Sequence, residues 1–222
     1  MTQNKNIEHK GPGALVAFEG IDGTGKSTQI RLLAESLRDM GHTVQLTREP
    51  TDGPVGQRIR ELYASRAEVT QEEELQLFID DRRQHVAEII QPALAAGRIV
   101  LTDRYYLSTA AYQGAAGLDP AEIIRRNERF APVPDLVILL VVPPVLGIER
   151  IRTLRVEALN AFEQEAELER VAAIFDQLDQ KYIKRIDATQ SVAAVQQAVF
   201  AEVKQFLSGR GDAVDMAAVV EA

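Results

Sequence analysis

The sequence contains no cysteine among its 222 residues. Disulfide bonds and thiolate metal sites are therefore excluded. No apolar run approaches the roughly 20 residues that a membrane-spanning helix requires. Residues 1–12 are polar and lack the apolar core of a signal peptide. We therefore expect a cytoplasmic protein with no membrane partner.

Positive charge is also scarce, because 25 Lys and Arg stand against 33 Asp and Glu and give a net charge of −8. Proteins that bind nucleic acid usually present a basic face. A nucleic-acid partner is therefore not expected. A small anionic substrate stays possible, since a few local Arg and Lys side chains can override the global sign.

Short apolar runs alternate with helical patterns along most of the chain. This alternation predicts an α/β fold, in which helices cover both faces of a parallel sheet. A single domain is expected over residues 13–208, with a loose leader at 1–12 and a tail at 209–222. The strands are predicted at ALVAFE (14–19), HTVQLT (42–47), RIVLTD (98–103), PDLVILLVV (134–142) and IKRIDAT (183–189).

Two further segments carry structural expectations. Residues 71–97 have the pattern of one long helix, which Pro92 is expected to kink. Residues 150–168 are unusually charged for the interior of an α/β domain, and this composition favours a mobile flap.

The stretch FEGIDGTGKST, Phe18–Thr28, matches the pattern G-x-x-x-x-G-K-[ST] between a predicted strand and a predicted helix. Its glycines let backbone N–H groups surround a polyphosphate, and the following helix offers its N-terminus to the anion. A flexible turn is the alternative, which the strand-to-helix context disfavours. The residues expected to bind a nucleoside triphosphate, which the resemblance described below implies is ATP, are Gly20, Ile21, Asp22, Gly23, Thr24, Gly25, Lys26, Ser27 and Thr28.

A Mg²⁺ ion bound beside a phosphate loop needs a second oxygen ligand from the protein, which a neighbouring strand would supply. Asp103 ends the predicted strand RIVLTD and, with the Ser27 hydroxyl, could hold Mg²⁺. The alternative role of Asp103 is a helix N-cap. No N-K-x-D motif is present, which argues against a GTPase.

Arginines stand at the ends of several predicted elements of this acidic protein. Arg48 and Arg104 directly follow strands, where α/β proteins bind ligands. This placement suggests a second phosphorylated ligand, although each arginine alone could be a solvated or ion-paired surface residue.

Together these residues resemble the thymidylate (dTMP) kinase family of P-loop nucleoside monophosphate kinases. The motifs FEGIDGTGKST, TREP, FIDDRR and DRYYLSTAAYQG occur in the family's order, and IDAT near the end also fits. The resemblance implies a three-layer P-loop NTPase fold with a five-stranded parallel sheet and a flap. It also implies transfer of a phosphoryl group from ATP to dTMP with Mg²⁺, in a homodimer.

The resemblance further implies roles for individual residues. Lys26 and the amides of the phosphate loop hold ATP, and Arg48 and Arg104 hold the phosphate of dTMP. Phe78 stacks on thymine, and Arg82 donates to a thymine carbonyl. Their i, i+4 spacing independently places both on one helix face, although core packing is the alternative for Phe78.

The remaining implied roles surround the acceptor nucleotide. Tyr112 packs against the sugar, where a ribose 2′-hydroxyl would clash. Asp22 lies near the acceptor sugar or the metal, with a turn-stabilising role as the alternative. The other residues expected near the acceptor are Ser108, Thr109, Gln113, Glu49 and Pro50.

One motif departs from the family pattern. Relatives with a catalytic flap arginine often show D-R-[IF]-E, where this chain has NAFE with Asn160 and Ala161. Arg152 and Arg155 are three residues apart and share a helix face, so we expect them to supply the missing charge. The alternative is that the flap arginines, Arg150 included, pair with acids such as Glu149, Glu157 or Glu163.

The sequence alone leaves two rival functions open. Another nucleotide or deoxynucleoside kinase would differ in its acceptor. An ATP-driven switch or partitioning protein would hydrolyse ATP in response to a macromolecular partner and would phosphorylate no nucleotide.

Overall fold

A parallel sheet of five strands forms the centre of the structure, a computed structural model that describes residues 12–62, 69–154 and 165–210. The spatial order of the strands is β2-β3-β1-β4-β5, and all neighbours run parallel. The strands are β1 (Ala14–Glu19), β2 (Val44–Arg48), β3 (Ile99–Asp103), β4 (Leu136–Val141) and β5 (Ile183–Asp187).

The central strands are buried on both faces. All six residues of β1 and the first five of β4 are buried. Because successive side chains of a strand point to opposite faces, helices must cover both sides of the sheet. The predicted α/β fold with a five-stranded parallel sheet is confirmed, and each predicted strand lies within two residues of its observed ends.

Helices form the two outer layers. Helices α1 and α9 contact each other and the sheet, while α5 packs against α3, α6 and α8. The helices of the described residues are α1 (Lys26–Asp39), α2 (Pro54–Leu62), α3 (Gln71–His85), α4 (Gln91–Ala95), α5 (Tyr106–Ala115), α6 (Pro120–Glu128), α7 (Pro144–Leu154), α8 (Glu165–Gln177) and α9 (Val192–Gly209).

The segment predicted as one helix over residues 71–97 is interrupted. A π-helical turn at Val86–Ile90 separates α3 from α4, and Pro92 lies just after it. Proline lacks the N–H that an α-helix needs and crowds the carbonyl four residues before it. The wider turn accommodates both effects, as π-turns within helices commonly do.

Helices α5 and α6 were not predicted from the sequence. The start of α6 is locally encoded, because the Asp119 side chain accepts a hydrogen bond from the Ala121 N–H and Pro120 is the first helical residue. The start of α5 is not locally encoded, because the residue that caps its N–H groups is distant in the sequence. The Glu19 carboxylate at the end of β1 accepts hydrogen bonds from the Tyr105 and Ser108 N–H groups.

The last helix extends beyond the predicted domain end at residue 208. Helix α9 continues to Gly209, and Arg210 donates to the Asp135 carboxylate and to the Gly13 carbonyl at 2.7 and 2.9 Å. These bonds tie the end of α9 to the start of β1.

The segment predicted as a flap is described only at its ends. Residues 150–154 continue α7 and residues 165–168 begin α8, with Ile151 and Leu168 buried. Residues 155–164 lie outside the described residues. None of the helices that the structure describes is long and apolar enough to cross a membrane.

The register of the sheet brings the ends of three strands together. Asp103 of β3 lies opposite Phe18 of β1 on one side and opposite Arg48 of β2 on the other. Side chains that follow these strands therefore meet at one edge of the sheet, where open α/β folds bind their ligands.

Candidate active site

A cleft of about 760 Å³ opens at this edge of the sheet. Its lining includes the loop between β1 and α1 with the first turn of α1, and also Arg150 of α7 and Ala188 after β5. The predicted residues that line it are Asp22, Gly23, Thr24, Gly25, Lys26, Ser27, Thr28, Arg48, Glu49, Asp103 and Arg104.

The phosphate loop needs glycine at two tightly packed positions. Gly20 and Gly23 both have positive φ, at 131° and 80°. A Cβ atom on Gly20 would lie 2.4 Å from the Leu140 carbonyl oxygen, and one on Gly23 would lie 2.2 Å from the Gly147 carbonyl oxygen. Only glycine fits both the conformation and the space, so the loop is held against β4 and α7.

Lys26 is folded back onto this loop. Its Nζ donates to the carbonyl oxygens of Gly20 and Ile21, both at 3.0 Å. Burial lowers the pKa of Lys26 to about 8, and the nearby Arg104 charge lowers it further, against the carboxylates around it. A polyphosphate in the loop would replace the carbonyl oxygens and favour the charged form of this amine.

The two predicted metal ligands lie side by side. The Ser27 hydroxyl at the start of α1 donates to the Asp103 carboxylate at 2.5 Å. Both groups are exposed enough to reach the cleft, which they line together. A hydroxyl and a carboxylate are the hard oxygen donors that Mg²⁺ prefers.

Arg104 joins the phosphate loop to helix α5. Its Nη2 donates to Asp22 Oδ1 at 2.8 Å and its Nη1 to Ser108 Oγ at 2.8 Å, while its guanidinium lies 4.9 Å from the centre of the Tyr112 ring. Arg104 has a φ of +72°, a conformation that residues other than glycine seldom adopt. Such outliers cluster at ligand sites.

Arg48 reaches the same cleft from the end of β2. Its guanidinium pairs with the Asp52 carboxylate at 2.5 Å, and its side chain is 60% exposed. Arg48 and Arg104 thus line one cleft, as expected for two groups that hold a single phosphate.

The predicted base-side residues lie on α3 and α5 around a buried ion pair. Arg82 donates to the Glu49 carboxylate through Nε at 2.9 Å and Nη2 at 2.5 Å, and Nη2 also donates to Thr109 Oγ1 at 2.8 Å. Phe78 is half-buried one turn before Arg82. Gln113 is buried, and its amide donates to Glu74 at 3.4 Å.

Glu49 is an ionised carboxylate in the interior. Burial acts to raise the pKa of Glu49, but the Arg82 charge and the hydrogen bond to His85 outweigh it and hold the pKa below its usual value. The peptide bond between Glu49 and Pro50 is cis, whereas the sequence predicted only an extended backbone at Glu49.

Comparisons with known proteins identify the family of this chain. A family model described as thymidylate kinase matches residues 18–199. A Desulfotalea psychrophila protein named thymidylate kinase is 54% identical over 196 residues, which cover 88% of this chain and 96% of the relative. A protein of the same name from Xanthomonas euvesicatoria pv. vesicatoria is 46% identical over 209 residues, covering 93% and 91%. The chain belongs to the thymidylate kinase family.

Two predicted members of a thymidylate kinase site cannot be placed. Arg155 lies outside the described residues, and so does the side chain of Arg152, whose backbone continues α7. The neighbouring Arg150 is described, and its Nη1 donates to the Ala188 carbonyl at 2.9 Å.

Sequence reasoning missed three buried residues of this site, namely Glu19, His85 and Asn127. Glu19 stood inside the quoted FEGIDG motif, but its partners are more than 80 positions away. His85 Nδ1 lies 2.9 Å from the Glu49 carboxylate, and Asn127 Oδ1 accepts from Arg82 Nη1 at 2.6 Å. The sequence signal for His85 was its spacing of three residues from Arg82, which places both on one helix face. No sequence signal marked Asn127.

Glu19 is linked to Arg104 through the Ser108 hydroxyl. Its carboxylate accepts hydrogen bonds from the Ser108 hydroxyl and from the Tyr105 and Ser108 N–H groups. The Ser108 hydroxyl in turn accepts a hydrogen bond from Arg104. Burial raises the pKa of Glu19 from 4.5 to about 7, although the Ser108 bonds and the Arg104 and Lys26 charges oppose the rise.

This raised pKa predicts a pH-dependent stability. Between pH 4.5 and 7 the folded protein holds a proton on Glu19 that the unfolded chain has lost, so the free energy of unfolding falls as pH rises through this window. Glu19→Gln removes the titration. The free energy of unfolding of the variant minus that of the parent should therefore rise by on the order of 2–3 kcal/mol between pH 4.5 and pH 8. Urea unfolding of both proteins at both pH values measures this difference. A constant difference between variant and parent would contradict the assignment.

Proposed function

We propose that the protein transfers the γ-phosphoryl group of ATP to dTMP and releases ADP and dTDP, a step in dTTP synthesis. Membership of the thymidylate kinase family supports this reaction. The observation that carries it is the ion pair between Arg104 and Asp22, at 2.8 Å. It joins an arginine of the acceptor side to the loop of the donor side, so two phosphates bound there would be neighbours.

The reaction needs alignment and charge neutralisation more than proton transfer. An oxygen of the dTMP phosphate, already an anion, forms a bond to the γ-phosphorus while the bond from that phosphorus to the ADP oxygen breaks. No general base is required. In this proposal Lys26 and the loop amides hold the donor, while Arg48 and Arg104 hold the acceptor phosphate.

Ser27 at the start of α1 and Asp103 at the end of β3 fit Mg²⁺. Ser27 and Asp103 would hold the ion, which would neutralise charge on the β- and γ-phosphates once bound. Across the described ranges, no group of three or more His, Cys, Asp or Glu side chains is arranged to hold a metal on its own. That finding suits an ion that keeps waters and phosphate oxygens among its ligands.

The acceptor base would lie against helices α3 and α5. Phe78 offers a half-buried ring for stacking, and Arg82 offers the Nη1 N–H that does not bind Asn127. A donor that faces C4 of a pyrimidine favours thymine, which has a carbonyl oxygen there, over cytosine, which has an amino group. Thr109 and Gln113 would complete the base site, and Tyr112 would cover the sugar.

The homodimer that the resemblance implies stays a prediction, as do a cytoplasmic location and the absence of nucleic-acid and membrane partners. The domain limits, with a flap at about residues 150–168, are likewise proposals. Closure of such a flap would exclude water, which otherwise competes with dTMP for the phosphoryl group.

The flap prediction concerns transition-state charge. Arg152→Ala or Arg155→Ala should lower kcat by at least about 10²-fold at saturating dTMP, because an arginine on the transferred group can contribute about 10³–10⁵ in kcat. Arg150→Ala should lose less, since the Arg150 side chain already binds the Ala188 carbonyl. Parent-like turnover in all three variants would show that the flap supplies no catalytic charge.

The direct test of the function is product analysis with a panel of acceptors. We expect dTDP and ADP in equal amounts from dTMP and ATP, and far slower ADP release with dUMP, CMP, thymidine or no acceptor. Lys26→Ala should lose on the order of 10³-fold in rate because it removes a transition-state charge contact. Lys204→Ala, an exposed lysine of α9, is the matched control and should behave like the parent. ADP release that is indifferent to the acceptor would favour the ATP-driven switch.

A further inference from the structure

The guanidinium of Arg82 is almost fully committed to protein acceptors. Its side chain is 1% exposed and packs over the ring of Tyr105. Of the five N–H groups of an arginine, one on Nε and two on Nη2 bind Glu49 and Thr109, and one on Nη1 binds Asn127. Within the described part of the chain, the second N–H of Nη1 has no acceptor.

Asn127 is held in one orientation. Its Oδ1 accepts from Arg82 Nη1 at 2.6 Å, and its Nδ2 donates to the Ile123 carbonyl one turn earlier in α6 at 2.8 Å. The backbone carbonyl of Asn127 accepts from the Phe130 and Ala131 N–H groups, which fixes the end of the helix. With two opposite hydrogen bonds, the amide cannot rotate without losing both.

Asn127 itself is fully buried and therefore acts through another residue. A guanidinium is planar, so an acceptor on one Nη1 hydrogen fixes the direction of the other. Glu49 holds the opposite edge of the plane, and the His85 ring lies between Glu49 and the Thr47 hydroxyl. The remaining N–H therefore has one direction, which is set before any ligand arrives.

We propose that Asn127 is a positioning residue for base specificity, which directs the remaining Arg82 N–H towards the C4 carbonyl of the acceptor base. This inference rests on the proposed function, in which Arg82 reads the base. Loss of the Asn127 oxygen would let the guanidinium turn, so that it would distinguish a carbonyl from an amino group less well.

A purely structural role for Asn127 would be to link α6 to α3, and its neighbour makes the comparison possible. Arg126 also joins these helices, because its guanidinium binds Glu72 at 2.5 Å and Gln76 at 3.2 Å. These bonds are on the surface and do not involve Arg82. Arg126→Ala is therefore a control that weakens the contact between α3 and α6 without changing any hydrogen bond of the Arg82 guanidinium.

The experiment measures the inhibition constants of dUMP and dCMP as competitors of dTMP. These two nucleotides share sugar and phosphate and differ at C4 and in the protonation of N3. Asn127→Leu, which removes the acceptor at similar volume, should lower the ratio of the dCMP constant to the dUMP constant about 10-fold, the effect of one charge-assisted hydrogen bond. The KM for ATP should stay within about twofold of the parent.

Asn127→Asp keeps an acceptor oxygen but also loses the bond to Ile123, so it should retain the ratio within about threefold. Arg126→Ala should retain it fully. If Asn127→Leu does not fold, Asn127→Ala replaces it under the same criterion. A parent-like ratio in the folded acceptor-less variant, or an equal loss in Arg126→Ala, would overturn the proposal.

Arg82→Ala separates this inference from the function on which it rests. A fall of the ratio in Arg82→Ala without a fall in Asn127→Leu would leave the base-reading role intact and reject the positioning role. An unchanged ratio in Arg82→Ala would remove the base-reading role, and the positioning role with it.

Discussion

Two carboxylates, Glu19 and Glu49, are buried on either side of strand β3, at the ends of β1 and β2. A buried acid must be neutralised by a proton or matched by charge and hydrogen bonds. Glu49 is matched by the charge of Arg82, whereas Glu19 takes N–H and hydroxyl donors from the start of α5 and has a pKa near 7. The positions of Arg82 and of the Arg104 segment depend on this requirement.

The same constraint connects stability to chemistry. A phosphoryl transfer between two anions needs positive groups that are in place before the reaction, because reorganisation during the reaction costs rate. Arg104 has a strained backbone and bonds to both the phosphate loop and α5. Removing one partner of this partly buried arginine leaves the other partner unmatched, which adds to the loss of the bond itself.

The parts of the fold with local signals could be predicted from the sequence. The apolar runs of β1 and β4, the glycines of the phosphate loop and the helical spacing of α1 are all short-range patterns. The π-turn before Pro92 and the cap of α5 by Glu19 were not predictable, because they depend on how distant segments meet. The same limit applied to the site. Lys26, Ser27, Asp103 and Arg104 follow motifs, but Asn127 stands in a segment for which no helix was expected.

Arg82 and Arg104 are held by protein acceptors before any dTMP binds. The most direct measurement is the ¹⁵N-resolved Nε–H resonance of Arg82, assigned by comparison with Arg82→Lys, in protein without ligand. We expect a sharp signal that exchanges slowly with water and shifts little when dTMP is added, because Nε already donates to Glu49. A signal that is absent or rapidly exchanging without ligand, and that appears only with dTMP, would contradict it.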